Sequence, residues 1–482
     1  MDTRDCVATI YNERSNFIIV GLTGRTGSGC SEAASILESA NFEDLNLKVP
    51  KNQDYHSKDE RKYKIIYDYA KSNWNQFFVL RMSDVIFSFL LPYKLEDLNE
   101  IFTAIVPSWP KEITEKVIKD SAFAELYNTA HESFMKLRTS DNTLLRDNEE
   151  QLSEEYALIS TIRNLHSKFK KIASKYSCQT TANIQKEEKE ITANAYSCLW
   201  QKMGNIIRRE GDVKTATSDS KNMFHLARRA NDFIKAIRNQ NKKLKQHTLI
   251  CIDAFRNPYE AQYFQDRYSA FYLISINTED SERRRRLGHL TNEQIDSLDT
   301  LEYPSKIKGI DKFTNQNIAA CIELSDIHVY NPYSFTIEKF YLTEQLVKYV
   351  MLIKHPGLIT PTHIERCMQI AYNAKLNSGC LSRQVGAAIT DENFSVKAVG
   401  WNEVPEGQVP CSLRYIEDLC ETSVYKGYKQ DKIEMRGDRA EMSDFPLYLN
   451  TVAGGLDRRD QTIGGFSFVV KIYAVPVVEI IG

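Results

Sequence analysis

Residues 16–39 read NFIIVGLTGRTGSGCSEAASILES, and this stretch decides the fold of the first part of the chain. Asn16–Thr23 is apolar and rich in β-branched residues, which is typical of a buried parallel strand. A glycine cluster follows, and Ser31–Ser39 then places apolar residues at helical spacing. The order strand, glycine loop and helix is typical of a phosphate-binding loop at the edge of a parallel sheet.

The segment that we call the glycine loop consists of Gly24, Arg25, Thr26, Gly27, Ser28, Gly29, Cys30 and Ser31. It has the spaced glycines and final serine of the phosphate-loop pattern, but Cys30 stands where that pattern has lysine. Glycines let backbone N–H groups converge on phosphate oxygens, and the following helix adds its positive end. We predict that the glycine loop binds a nucleoside triphosphate. An ordinary glycine-rich turn before a helix is the alternative.

Magnesium would accompany the bound triphosphate. Ser31 could hold the ion, and Arg25 could supply part of the charge that the absent lysine would have brought. Asp253 ends the apolar strand LICID, where a ligand of a magnesium-bound water stands in this type of fold; a helix or turn cap is the alternative. Without the lysine, phosphoryl transfer should suffer more than binding, because that cation stabilises the transferred charge.

Further strands are predicted at Thr248–Ile252, Phe271–Ile276 and Ile327–Tyr330, with helices between them, which indicates a parallel α/β sheet. Between Pro110 and Pro258 there is no proline and there are two glycines, so about 110–246 is predicted to be a large helical insertion. We therefore assign residues 1–355 to one nucleotide-binding domain. The run Arg283–Arg286 is predicted to be a solvated helix face, with a phosphate-binding lid as the alternative.

A second domain is assigned to residues 361–482, because KHPGLITP interrupts the helical pattern just before it. Its first helix should begin with the capping box of Thr362 and Glu365. One face of that helix is expected to be buried, through Ile364, Cys367, Met368, Ala371 and Ala374. Two strands should follow, at Gln384–Thr390 and Ser395–Gly400.

From Cys380 the chain reads CLSRQVGAAITDENFSVKAVGWNEVPEGQVPC, which resembles the zinc-dependent deoxycytidylate deaminases. The whole chain resembles the bacterial anti-phage dCTP deaminases, in which a P-loop domain with a degenerate lysine precedes such a deaminase domain. The resemblance covers roughly the first 410 residues and rests on GLTGRTGSGCS, IDAFRNPYEAQYF, FYLISI and QNIAACIELSDIHVYN. It implies an α/β fold, a P-loop parallel sheet with a large helical insertion, followed by a partial cytidine-deaminase-like domain that is incomplete after about residue 411.

The resemblance also implies an activity, the hydrolytic deamination of deoxycytidine nucleotides to deoxyuridine nucleotides. Asn402 would then contact the substrate sugar and Arg383 the nucleotide, although Asn402 could equally be a turn residue after a strand. Cys380 and Cys411 match two cysteines that hold a structural zinc in some members of the family. Two ligands do not complete a tetrahedral zinc site.

The catalytic zinc motif of that family is missing from this chain. The reaction needs H-x-E and P-C-x-x-C, yet no histidine follows His363, and Cys420 is the last cysteine after Cys411. Arg439, Ala440 and Glu441 resemble H-A-E, but a guanidinium has no lone pair for zinc. We expect the chain to be inactive as a deaminase on its own, as a truncated, frame-shifted or naturally degenerate copy.

Charge and composition limit the kinds of partner that we expect for this chain. The net charge of −2 gives no strong nucleic-acid signal. The N-terminus carries charges throughout and has no apolar core, so no signal peptide is expected, and no apolar segment is long enough for a membrane span. The ten cysteines include no C-x-x-C pair, which favours a reducing, cytoplasmic setting. The expected ligands are dCTP, dCMP, ATP or GTP, and a homo-oligomer is left open.

The sequence leaves three candidate functions. They are a deaminase-family protein of nucleotide metabolism, a non-catalytic P-loop nucleotide sensor and a nucleotide-kinase-like enzyme.

Overall fold

The computed structural model describes residues 15–50, 57–137, 149–184, 187–214, 223–303, 311–332, 341–380, 384–403 and 410. The chain divides into two units, Met1–Ile359 and Thr360–Gly482, and each is taken by itself below. None of the described helices combines the length and the apolar character that a membrane crossing requires.

The first unit is built on a parallel sheet of five strands. These are β1 (Phe17–Thr23), β2 (Phe78–Arg81), β5 (Thr248–Phe255), β6 (Phe271–Asn277) and β7 (Ile327–Tyr330), in the spatial order β2-β5-β1-β6-β7. The central strand β1 aligns Ile19 with Ile250 of β5 on one side and Gly21 with Leu273 of β6 on the other. The predicted parallel α/β sheet is confirmed.

Both faces of this sheet are covered, as its nearly uninterrupted apolar strands require. On one face, Ile19, Ile250 and Leu273 pack into a core shared with the helices that lie between β2 and β5. On the other face, Ile18 and Val20 join a second core with the helix after the glycine loop and the last helix of the unit. Side chains that alternate along each strand therefore fill two separate cores.

Helices connect the strands of the sheet. Those outside the segment between β2 and β5 are α1 (Cys30–Leu37), α2 (Lys58–Asn73), α10 (Pro258–Arg267), α11 (Asp280–Arg286), α12 (Asn292–Glu302), α13 (Asp311–Thr314), α14 (Ile318–Leu324) and α15 (Tyr341–Lys354). A short 3₁₀ helix, Phe42–Leu45, follows α1.

The neighbouring strands β2 and β5 are separated in sequence by a long, largely helical segment. It contains a 3₁₀ helix (Leu95–Asp97), the helices α3 (Met82–Ser88), α4 (Leu98–Ile105), α5 (Lys111–Lys119), α6 (Ser121–Leu137), α7 (Glu149–Ala173), α8 (Ala195–Glu210) and α9 (His225–Lys243), and a hairpin of β3 (Ser177–Ile184) and β4 (Glu187–Asn194). The segment begins at α3, ahead of the predicted position 110. The antiparallel hairpin was not predicted.

In the second unit the structure describes one helix and one hairpin. Helix α16 (His363–Lys375) begins with the predicted capping box of Thr362 and Glu365, and β8 (Gly386–Thr390) pairs antiparallel with β9 (Val396–Trp401). The backbone of β8 comes so close to α16 that a Cβ on Gly386 would overlap the carbonyl oxygen of Ala371. The contact therefore lies at the end of the helix.

The predicted buried face of α16 is wrong for its first turns. Ala371 and Ala374 are buried, but Ile364 is 65% exposed and Met368 is 39% exposed. Cys367 is partly buried. The reason is that β8 packs against the last turns of α16, where small residues permit close approach. At the first turn the ring of Phe394 stacks on His363, with 5.3 Å between the ring centroids, and Ile364 stays exposed.

Candidate functional site

The glycine loop lies at the carboxyl edge of the sheet. It joins the end of β1 to the start of α1, with Gly29 as the residue that precedes the helix. The connection that leaves β1 leads to β2 at one edge of the sheet. The connection that leaves β6 leads to β7 at the opposite edge. Ligands of open α/β sheets bind in the crevice that such a reversal opens.

Two glycines of the loop have a backbone conformation that side chains disfavour. Gly27 has φ 89° and Gly29 has φ 110°, both in the left-handed region. A Cβ on Gly29 would also meet the side-chain amide of Asn331, which follows β7. The sequence therefore needs glycine at position 29 for conformation and for space.

The outer side of the loop is held by residues that follow β6 and β7. The Ser28 carbonyl accepts hydrogen bonds from the Asn331 amide (2.9 Å) and from an Arg286 Nη (3.1 Å). The Thr26 carbonyl accepts one from Arg283 (3.4 Å). These contacts hold the Thr26 and Ser28 carbonyls against α11 and against the residue that follows β7.

The predicted solvated face is therefore wrong for Arg283, whose side chain is completely buried. It is paired with Asp280 (2.9 Å) and Asp299 (2.6 Å), and such pairing is what allows a guanidinium to be buried. Arg284 and Arg285 are more exposed and are paired with acids of the same region.

Arg25 was expected to supply charge for a phosphate. Its guanidinium is paired with Asp280 (3.1 Å) and Asp299 (2.9 Å) and lies over the ring of Tyr303, with its Cζ 5.1 Å from the ring centroid. In this arrangement its charge is directed to the acids of α11 and α12.

Thr26 of the glycine loop contacts an acidic side chain of α12. Its backbone N–H donates to both carboxylate oxygens of Glu302, at 3.1 and 3.2 Å, and its hydroxyl donates to the same carboxylate. Arg256 adds a hydrogen bond to Glu302 (2.7 Å) and one to the Thr26 hydroxyl oxygen (3.2 Å). The loop thus holds an anion that the chain itself provides.

Cys30 supplies no positive charge at the lysine position. Burial raises the pKa of its thiol to about 12, and the negative charge of Asp253 acts in the same direction. The thiol is therefore neutral at physiological pH. Its sulfur lies 3.7 Å from the hydroxyl oxygen of Ser28.

Asp253 lies within β5, which extends to Phe255, and faces Arg81 of β2 in the register of the sheet. Burial raises the pKa of its carboxyl, against the opposing charges of Arg81, Arg256 and Lys170. Among the described residues no hydrogen-bond partner of this carboxylate is seen. Ser31, the other residue predicted to hold magnesium, is exposed at the start of α1.

The predicted site residues of the second unit are only partly described. The Asn402 side-chain oxygen accepts hydrogen bonds from the Ser378 hydroxyl (2.8 Å) and the Val385 N–H (2.7 Å), so it ties β9 to the segment before β8. Cys380 lies beside Ser378, whose hydroxyl oxygen accepts its N–H. Arg383 and Cys411 lie outside the described residues.

The described residues do not gather a set of zinc ligands. In the described ranges no three histidine, cysteine, aspartate or glutamate side chains converge as a metal site would need. The sequence adds no histidine after His363 and no C-x-x-C pair. A catalytic zinc needs three protein ligands and an open position.

Sequence reasoning missed Arg256, Glu302 and Asn331. Arg256 follows the strand LICIDAF directly, which was an available signal, whereas nothing near Glu302 in sequence marks it. Chemically, Thr26 of the glycine loop offers a backbone N–H and a hydroxyl, and Arg256 offers a guanidinium, to one anion. Comparison of the chain with protein-family models, with curated proteins and with solved structures gives no match.

Proposed function

We propose that the first unit binds a nucleoside triphosphate at the glycine loop and hydrolyses it slowly. The observation that carries the proposal is at Thr26, whose N–H and hydroxyl already hold a carboxylate. An anion position beside left-handed glycines, before a helix that begins at Cys30, is the usual setting for a phosphate. The strand, loop and helix order of the sequence favours a nucleotide as its carrier.

Slow hydrolysis follows from Cys30. A neutral thiol cannot stabilise the charge that develops on the transferred phosphoryl group, whereas binding can rely on backbone N–H groups. The carboxylate of Asp253 and the hydroxyl of Ser31 are proposed to hold a magnesium ion and its water through the nucleotide. This combination supports the non-catalytic sensor more than an efficient NTPase.

Calorimetric titration with ATP, GTP and dCTP in magnesium buffer tests this proposal. At least one triphosphate should give a saturable heat, and phosphate release measured on the same samples should stay close to the background without protein. A folded protein that gives no heat with any of the three would contradict binding. Rapid phosphate release would contradict the assigned consequence of Cys30.

A nucleotide-kinase-like enzyme is the second candidate. One observation favours it, the direct contact of Arg283 and Arg286 with the loop carbonyls, because arginines beside a phosphate loop can stabilise a transferred phosphoryl group. The neutral Cys30 acts against it. Transfer of labelled γ-phosphate to dCMP, measured alongside the titration, separates this candidate from simple binding.

We also propose, on the resemblance of its motifs, that the chain belongs to the deoxycytidylate deaminase family of nucleotide metabolism but does not deaminate by itself. The reaction at C4 of cytosine needs metal-bound hydroxide, because bound zinc lowers the pKa of water from about 15.7 to about 7. No H-x-E follows Cys380, where the deaminase-like segment begins, and the chain has no P-C-x-x-C motif to complete the ligands of that ion.

Incubation of the purified protein with dCMP and dCTP in added zinc tests this second proposal. We expect no deoxyuridine nucleotide above the background without enzyme, and no stoichiometric zinc by mass spectrometry. Product formation together with about one zinc per chain would show a complete ligand set and contradict the expectation.

A further inference from the structure

The carboxylate of Glu302 is buried against the glycine loop. Glu302 is the last residue of α12, its side chain is completely buried, and its two oxygens accept the Thr26 N–H at 3.1 and 3.2 Å. The Thr26 hydroxyl and Arg256 also donate to it. A buried carboxylate is stable only with such partners.

Those donors are of the kind that holds phosphate oxygens. A loop N–H, a hydroxyl and a guanidinium each donate to an anionic oxygen, and guanidinium groups pair with phosphates as readily as with carboxylates. We propose that Thr26 and Arg256 form a phosphate subsite of the glycine loop and that Glu302 occupies it until a nucleotide displaces it. This inference rests on the proposed nucleotide binding and identifies the competitor within the chain.

Displacement is required because two anions cannot share this position. Glu302 is completely buried, so no layer of water separates its charge from an incoming phosphate oxygen. The phosphate would also need the Thr26 N–H, which is already directed at Glu302. Binding and the Glu302 contact therefore exclude one another.

The end of α12 connects Glu302 to the other arginines of the loop. Asp299 lies one turn before Glu302 and pairs with Arg25 (2.9 Å) and with Arg283 (2.6 Å). Because residues three apart share a helix face, movement of the last turn of α12 would release both acids together. Arg25, Arg256 and Arg283 would then be available to the phosphate, which is how Arg25 could act as predicted.

The test compares Glu302→Gln with Glu293→Gln. Glutamine keeps the size of the side chain but removes the competing charge, and Glu293 is an exposed glutamate of the same helix. Titration uses ATP, GTP, dCTP and inorganic tripolyphosphate in magnesium buffer, after circular dichroism shows that each variant is folded. Hydrogen exchange of the unmodified protein, with and without ligand, gives a readout that needs no variant.

The expected result is about tenfold tighter binding by Glu302→Gln, for tripolyphosphate as well as for the nucleotide, with Glu293→Gln equal to the unmodified protein. Ligand should also speed hydrogen exchange in the last turn of α12. Equal or weaker binding by a folded Glu302→Gln, or slower exchange in that turn, would overturn the inference and leave the proposed function standing. Folded proteins that all fail to bind would overturn both. Should Glu302→Gln not fold, the exchange result decides.

Discussion

Cys30 lies where the phosphate-loop pattern carries lysine, and its thiol is neutral because burial raises its pKa to about 12. The loop consequently lacks the cation that usually reaches the β- and γ-phosphates. What remains are backbone donors, the Thr26 hydroxyl and arginines that are paired with acids. At the scale of the residue, the proposed function therefore has Cys30 impair phosphoryl transfer more than phosphate binding.

Cys30→Lys should tighten triphosphate binding by about tenfold, equal to about 1.4 kcal/mol, because it restores that cation beside the negative charge of Asp253. Calorimetry of the folded variant measures the change. Cys30→Ser is the matched control, since it keeps a small neutral group. Ionisation of the Cys30 thiol should not change the Kd of the unmodified protein between pH 6 and 9, because that range lies below the pKa of Cys30. Weaker binding by Cys30→Lys would count against a phosphate role for the loop.

The sequence was sufficient to identify the glycine loop but not its partners. Gly24–Ser31 is contiguous, so a pattern of spaced glycines reveals it. Arg256 is 230 positions and Glu302 is 276 positions from Thr26, and they meet only because neighbouring strands end at one edge of the sheet. Arg283 was assigned to solvent for the same reason, since its acid partner Asp299 lies on the next helix.

At the scale of the element, a buried ion pair joins the helical segment to the helix after β5. Arg208 of α8 donates to both carboxylate oxygens of Glu260 of α10, at 2.8 and 3.4 Å, and their side chains are 5% and 1% exposed. Removing one partner of such a pair leaves an uncompensated charge in the core. The pair therefore fixes where α8 and α10 meet.

Arg208→Met should lower the free energy of unfolding by about 3–5 kcal/mol, because the Glu260 carboxylate would stay buried without its partner. Equilibrium unfolding in urea measures the loss. Arg209→Met is the control, since Arg209 is 46% exposed and pairs with its neighbour Glu210. The double change Arg208→Met with Glu260→Met should cost less than the single one. A loss below about 1 kcal/mol for Arg208→Met would mean that the pair does not hold the helices.

The strands whose apolar runs stand out in the sequence were predicted, and the other strands of the first unit were missed. The runs in β1, β5 and β6 are apolar and long enough to mark strands, and the structure confirms them together with the shorter predicted strand β7. Strand β2, FVLR, is directly joined to α3, so no turn residue in the sequence separates the strand from the helix. The hairpin of β3 and β4 is rich in polar residues, so nothing in its sequence set it apart from the surrounding helices.

At the scale of the whole molecule, the glycine loop depends on the sheet that carries it. The strand before it lies at the centre of five parallel strands, and both faces of that sheet are packed with apolar side chains. A rigid strand end is the kind of support on which a binding loop keeps its geometry. In the second unit, helix α16 packs against the hairpin of β8 and β9, and the Asn402 side chain accepts a hydrogen bond from the backbone N–H of Val385.

Binding of the nucleotide at the glycine loop is tested most directly by calorimetric titration of Gly29→Ala against Gly400→Ala, with the triphosphate that the unmodified protein binds. A methyl group at position 29 would meet Asn331 in a left-handed backbone, whereas position 400 has open space around it. We predict that folded Gly29→Ala binds at least about tenfold more weakly, while Gly400→Ala binds like the unmodified protein. Equal affinity of all three proteins would place the nucleotide elsewhere and contradict binding at the glycine loop.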